Sequence, residues 1–138
     1  MDDQTKFTKA FGIAVRRGDG TAEARLDLGP QHLNMRGVAH GGVVAALLDT
    51  ALGGAVVAAI PPEWWCATTS LSVQFLEGAR RGELVATGTC LRRGRSTAFA
   101  SGEVRDTAGR LIATAQGSWH LWPDYPERPR TKAIRQAE

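Results

Sequence analysis

Val43-Val44-Ala45-Ala46-Leu47-Leu48-Asp49-Thr50-Ala51-Leu52-Gly53-Gly54-Ala55-Val56-Val57-Ala58-Ala59-Ile60 decides the fold. The run is almost wholly apolar, and Asp49 is its one charge. Its length would cross a bilayer. A carboxylate at that depth costs roughly 2.5–3.5 kcal/mol on insertion scales, and the abundant Ala and Gly insert weakly. No aromatic belt or basic flank frames the run on both sides. The better reading is a core helix of a soluble protein, ended by Pro61-Pro62. Because it is apolar on every side, it is expected to be surrounded by protein.

Working outward, the flanks read as strands. Upstream, Phe7 to Phe11 suggests a short leading helix or turn. Ile13 to Arg17 and Ala22 to Leu28 are strand candidates joined by Gly18-Asp19-Gly20, a hairpin signal. Apolar and charged residues alternate from Ala22 to Leu28, as in a strand with one wet face. Gly29-Pro30 ends it, and Gln31 to His40 is a polar loop. Downstream, Ala67 to Phe75, Glu83 to Leu91, Thr97 to Asp106 and Leu111 to Leu121 read as four strands in a meander. Gly78 to Gly82, Arg92 to Arg95 and Asp106 to Gly109 connect them. Six strands wrapping one helix make an α+β domain over residues 1–121. Residues 122–138, rich in Pro and charge, form a C-terminal tail expected to be extended or disordered.

At 138 residues the chain fits one domain with a sizeable core. Lys and Arg exceed Asp and Glu by three, 17 against 14. That excess is too small to point to nucleic acid, but it suits an anionic small ligand. The polar start Met1-Asp2-Asp3-Gln4 carries no apolar leader, so a cytoplasmic location is expected. Cys66 and Cys90 are then free thiols without a nucleophile–base pattern. His32, His40 and His120 lack the company of other metal ligands, so no metal is expected. Phosphate-loop, nucleophile-elbow and dinucleotide fingerprints are absent from the sequence.

The densest chemical signal is His32-Leu33-Asn34-Met35-Arg36-Gly37-Val38-Ala39-His40-Gly41-Gly42, followed by Asp49. Gly41 and Gly42 open the helix, so their amides belong to its unpaired first turn. The helix dipole adds positive charge there, and glycine lets a ligand approach closely. Such a place suits a developing oxyanion. Alternatively, Gly-Gly merely permits a sharp turn into the helix. Asp49, flanked by Leu47, Leu48, Ala51 and Leu52, needs polar company. It serves either a chemical task in a cleft or a structural plug against a neighbouring strand. Arg92-Arg93-Gly94-Arg95 reads as a phosphate fork or as a solvated turn. Trp64 and Trp65 either line a pocket or pack the core.

His32-x-Asn34-x-x-Gly37-x-x-His40-Gly41-Gly42, with Leu48-Asp49-x-Ala51, resembles the hot-dog thioesterases of the PaaI-like branch, named for phenylacetate degradation. The likeness continues through Thr68-Thr69-x-Leu71-x-Val73-x-Phe75-Leu76, Gly82-x-Leu84, Gly94-Arg95 and Asp106-x-x-Gly109-x-Leu111-Ile112-Ala113. It covers about Phe11 to His120. The resemblance implies a six-stranded antiparallel sheet wrapped around one long central helix, and hydrolysis of acyl-CoA. It implies that Asp49 acts as general base or nucleophile and that the Gly41 amide polarises the thioester carbonyl. Asn34 and His40 match polar groups near the carbonyl and leaving sulfur, and Thr68 matches a hydroxyl that helps hold water. Some members carry Glu at a different helix position, so the role of Asp49 depends on the branch. Gly42, Arg92, Arg93, Gly94 and Arg95 are candidate substrate contacts, and coenzyme A enters as part of the substrate, with no other cofactor.

Helix geometry adds a constraint. Gly41 and Asp49 are eight residues apart, roughly 12 Å along a helix at 1.5 Å per residue. One carbonyl cannot touch both, so the two groups would come from different subunits. A homodimer at least, and a homotetramer as is common in the family, is expected. No nucleic acid or membrane partner is expected. A hot-dog hydratase or dehydratase and a non-catalytic acyl-CoA binding protein are the rival readings.

Overall fold

A computed structural model describes residues 4–123. Thr5 opens the leading helix α1 (Lys6–Phe11) with a capping box: Thr8 N–H donates to Thr5 Oγ1, and Thr5 N–H donates to Thr8 Oγ1. Strands β1 (Ala14–Arg17) and β2 (Thr21–Asp27) follow as the expected hairpin. After a 3-10 turn at Pro30–His32 the long helix α2 runs from Gly41 to Ala59. Strands β3 (Trp65–Phe75), β4 (Glu83–Arg93), β5 (Thr97–Arg105) and β6 (Leu111–Trp122) complete the chain. The fold is the hot-dog arrangement that the resemblance implies: one six-stranded antiparallel sheet and one long helix.

Strand order corrects one expectation. The sheet runs β1-β2-β4-β5-β6-β3, so only β4 to β6 form a meander. β3 lies at the far edge, paired to β6, while β2 pairs with β4. The cause is helix α2, which carries the chain from β2 across the sheet before β3 begins. Pairing of β2 with β4 also sets Arg25 against Glu83, 2.6 Å apart, on the wet face. That exposed pair contributes little stability but fits the register.

The core is built between α2 and the inner face of the sheet. Leu47, Leu48, Leu52 and Val56 of the helix meet Leu26, Leu84, Val104 and Ile112 from four strands, and all are at most 2% exposed. Burying each such side chain contributes about 1.5–3 kcal/mol. Small residues let helix and sheet approach closely. A Cβ added at Gly88 on β4 would lie 2.6 Å from the Ala51 carbonyl oxygen.

Within one chain the helix is not surrounded on every side, which corrects a second expectation. Among the described residues it is the one helix long and apolar enough to cross a membrane. One stripe of it is open: Ala46, Asp49, Thr50, Gly53, Gly54 and Val57 line a cavity instead of the core. Their spacing of three and four residues places them on one face. Overall apolar composition cannot distinguish a helix buried on all sides from one whose small residues border a cavity.

His32 holds the approach to α2. It is 2% exposed; its Nδ1 accepts from the Gly29 amide and its Nε2–H donates to the Phe11 carbonyl, both at 2.9 Å. One buried imidazole therefore ties the end of α1 to the loop before α2. Trp122 pairs with Trp65, so β6 takes in the first residue assigned to the tail. The rest of the proposed tail, from residue 124, lies outside the described residues.

Candidate active site

Helix α2 supplies both candidate catalytic groups. Its first turn carries Gly41, and Asp49 sits on its open stripe. Asp49 is half-buried, and its Oδ1 accepts a 2.8 Å hydrogen bond from Thr68 Oγ1 on β3. Register explains the meeting: Thr68 pairs with Trp119, whose indole is in the core, so both side chains point to the helix side of the sheet. The second carboxylate oxygen has no partner among the described residues. It faces a cavity of about 510 Å³ bordered by Ala46, Gly53, Val57, Cys66 and Trp119, with α1 contributing Phe7 and Thr8. A carboxylate steadied through one oxygen and open through the other can take a proton from water or attack a carbonyl.

Cys66 reports on this environment. Burial, followed by the Asp49 charge, pushes its thiol pKa up. The thiol therefore stays protonated near neutral pH and is a poor nucleophile. Cys66 and Cys90 are free, as the sequence suggests.

Gly41 lies elsewhere. It borders a separate groove of about 320 Å³ with Val38, Phe75 and Gly78. Within one chain, then, the structure does not bring Gly41 and Asp49 to a common point. His40 caps the helix, with its Nδ1 accepting from the Gly42 amide at 2.8 Å. Gly42's N–H is thereby engaged, while Gly41's has no partner among the described residues. The side chain of Asn34 accepts from the amides of Arg36 and Val38, at 2.9 and 3.3 Å. Asn34 and His40 therefore both shape the loop that presents Gly41.

The arginine cluster stands at the β4–β5 turn and does not border the Asp49 cavity. Arg92 and Arg93 belong to β4 itself instead of to the connection, a correction: past a register shift after Cys90 the ladder with β5 continues through Arg92 opposite Phe99 and Arg93 opposite Ala98. Gly94 N–H donates to the Thr97 carbonyl at 2.8 Å and closes the turn. Arg93 lies over the Trp64 ring, 5.1 Å from its centre. Trp64 packs against the core, and Trp65 is 46% exposed. Neither borders the cavity.

Trp119 is a cavity residue that sequence reasoning missed. The available signal was Gly53-Gly54 in the middle of a helix, where each glycine costs about 1 kcal/mol relative to Ala and calls for a reason.

Comparison with known proteins agrees with this architecture. The model of the thioesterase superfamily matches residues 36–113, more than half of the chain. Acyl-coenzyme A thioesterase 13 of Mus musculus is 33% identical over 95 residues, covering 66% of each chain. The PaaI protein of the E. coli phenylacetic acid degradation operon superposes with a TM-score of 0.81 at 23% identity, covering 88% of each chain. A thioesterase of Haemophilus influenzae superposes with a TM-score of 0.82 at 20% identity, over 88% of this chain and 86% of that one. These two structural likenesses concern the fold. With the family match and the helix–sheet architecture in agreement, the chain belongs to the thioesterase superfamily and is a hydrolase with the hot-dog fold.

Proposed function

We propose that the chain hydrolyses acyl-CoA to a free acid and coenzyme A, with a small aryl or a short- to medium-chain acyl group. The observation that carries the reading is Asp49, half-buried, bonded to Thr68 at 2.8 Å and open to a largely apolar cavity. Asp49 acts as general base or nucleophile, and Thr68 helps hold the attacking water. The Gly41 N–H polarises the carbonyl at a positive helix terminus. Asn34 and His40 lie near the carbonyl and the leaving sulfur.

Separate grooves for Gly41 and Asp49 support a site shared between two chains. β3 offers a surface for that partner. It is an edge strand of 11 residues, long enough to pair with another chain. Phe75 at its end and the adjoining Leu76 are 57% and 55% exposed. A dimer at least, and a tetramer by family likeness, is the proposed assembly, and the cytoplasm the proposed location.

The arginines suit the anionic end of coenzyme A. Thr68, Trp119, Ala98 and Arg93 are successive partners across β3, β6, β5 and β4. Three strand spacings of about 4.8 Å put Arg93 roughly 14 Å from Thr68. Arg92, Arg93 and Arg95, turned by Gly94, would meet the phosphates at that distance.

A panel of aryl and aliphatic acyl-CoAs, assayed for free thiol, tests the reading. Thiol release from at least one class is expected. Hydration of crotonyl-CoA without thiol release would favour a hydratase. Tight binding without turnover across the panel would favour a non-catalytic acyl-CoA binder.

A further inference from the structure

Several polar groups that the hydrolytic chemistry does not use border the cavity beside Asp49, among them Thr5, Thr8, Arg17 and Thr50, and the Trp119 indole N–H differs from them. Trp119 is only 2% exposed, yet its indole N–H has no hydrogen-bond partner among the described residues. Every fully buried side-chain nitrogen or oxygen among those residues is partnered. The indole nitrogen therefore reaches the cavity surface. Gly53 is what uncovers it: a Cβ at that position would lie 3.4 Å from Trp119 Nε1. Both residues border the Asp49 cavity.

The neighbouring hydroxyls are already committed. Thr50 Oγ1 donates to the Ala46 carbonyl at 2.7 Å, and Thr68 Oγ1 donates to Asp49. An open indole N–H, in a wall whose threonine hydroxyls are engaged within the protein, is a specific feature. A ligand that fills the cavity shuts water away from this donor; left unpaired it is then costly, and a ligand acceptor removes that cost. It also discriminates strongly against ligands that lack the acceptor.

We propose that Trp119 Nε1–H, uncovered by Gly53, is a specificity-determining donor to an oxygen acceptor on the acyl group. Gly53 follows Asp49 by four residues, about one helical turn or roughly 6 Å along the axis. The favoured acyl group carries its acceptor at that distance from the thioester carbon, as an oxygen substituent para on a benzoyl ring does. This inference rests on the reading of the cavity as the acyl site.

4-Methoxybenzoyl-CoA and 4-ethylbenzoyl-CoA make the test pair. They are close in shape, and only the first carries an acceptor. For the wild type, a kcat/KM ratio of roughly 5- to 150-fold in favour of the methoxy compound is expected, from about 1–3 kcal/mol for an unsatisfied buried donor. Trp119→Phe deletes the donor and keeps most of the packing. Gly53→Ala covers the donor and suits a helix, so it serves if the first variant folds poorly. Either change should bring the ratio towards one. A wild-type ratio near one, or a ratio that survives in folded variants, overturns the inference while leaving the hydrolytic reading intact. If the wild type releases thiol from neither compound nor from any aliphatic acyl-CoA, the hydrolytic reading fails, and this inference with it.

Discussion

In the proposed mechanism Asp49 and Gly41 do different work, and each has a substitution that is expected to keep the fold. Asp49→Asn keeps the size of the side chain and an oxygen able to accept from Thr68, but it loses the negative charge and the basicity. General-base work contributes about 10²–10⁴-fold, and a nucleophilic role would lose at least as much. The expected outcome is a fall in kcat of that size with the melting temperature near wild type. A structural plug would give the reverse, a lower melting temperature and an unchanged kcat. Gly41→Pro is the matching test of the amide. Gly41 is the first helical residue after the His40 cap, a position where proline is favoured. His40 has ψ 137°, the extended conformation a residue before proline prefers. The variant should fold and lose about 10²–10³ in kcat, the scale of one oxyanion donor. At this scale the sequence was informative where a charge broke an apolar pattern, as at Asp49. It was silent on Trp119, because an aromatic residue on an alternating strand reads as core and only packing leaves its N–H at a cavity.

At the scale of elements, the hydrophobic periodicity located every strand to within a few residues, since alternation and turn residues are local signals. It also located α2 from its composition. Pairing was not legible: β3 sits beside β6 and not β4, because the order of strands depends on the path of the crossing helix. The open stripe of α2 was hidden for a related reason. Ala46, Gly53 and Gly54 look as apolar as Leu47 and Leu52, and only the sheet decides which face it covers. The close contact between α2 and β4 gives a prediction of its own. Gly88→Ala would press a methyl group against the Ala51 carbonyl, 2.6 Å away by geometry. Overpacking of this kind costs about 1–3 kcal/mol. Thermal unfolding should move down by several degrees, and an unchanged transition would mean that helix and sheet sit further apart than described.

For the whole molecule, the central claim is that one hydrolytic site is assembled from Asp49 of one chain and Gly41 of another. The long edge of β3, the exposed Phe75 and Leu76, and the separate grooves all support it. The helix rise alone made the claim legible in the sequence, while the surface that would carry the partner emerged only with the strand order. Co-expression of Asp49→Asn and Gly41→Pro chains with different tags, followed by purification of the mixed oligomer, tests it most directly. In a mixed dimer one site combines both defects, and the other combines an intact Asp49 with an intact Gly41. The account predicts that each parent is nearly inactive and that the mixed oligomer recovers up to about half of the wild-type kcat per dimer, far above the 10²-fold or greater loss of either parent. A purified mixed oligomer no more active than its parents, or a fully active wild-type monomer in light scattering, would contradict it.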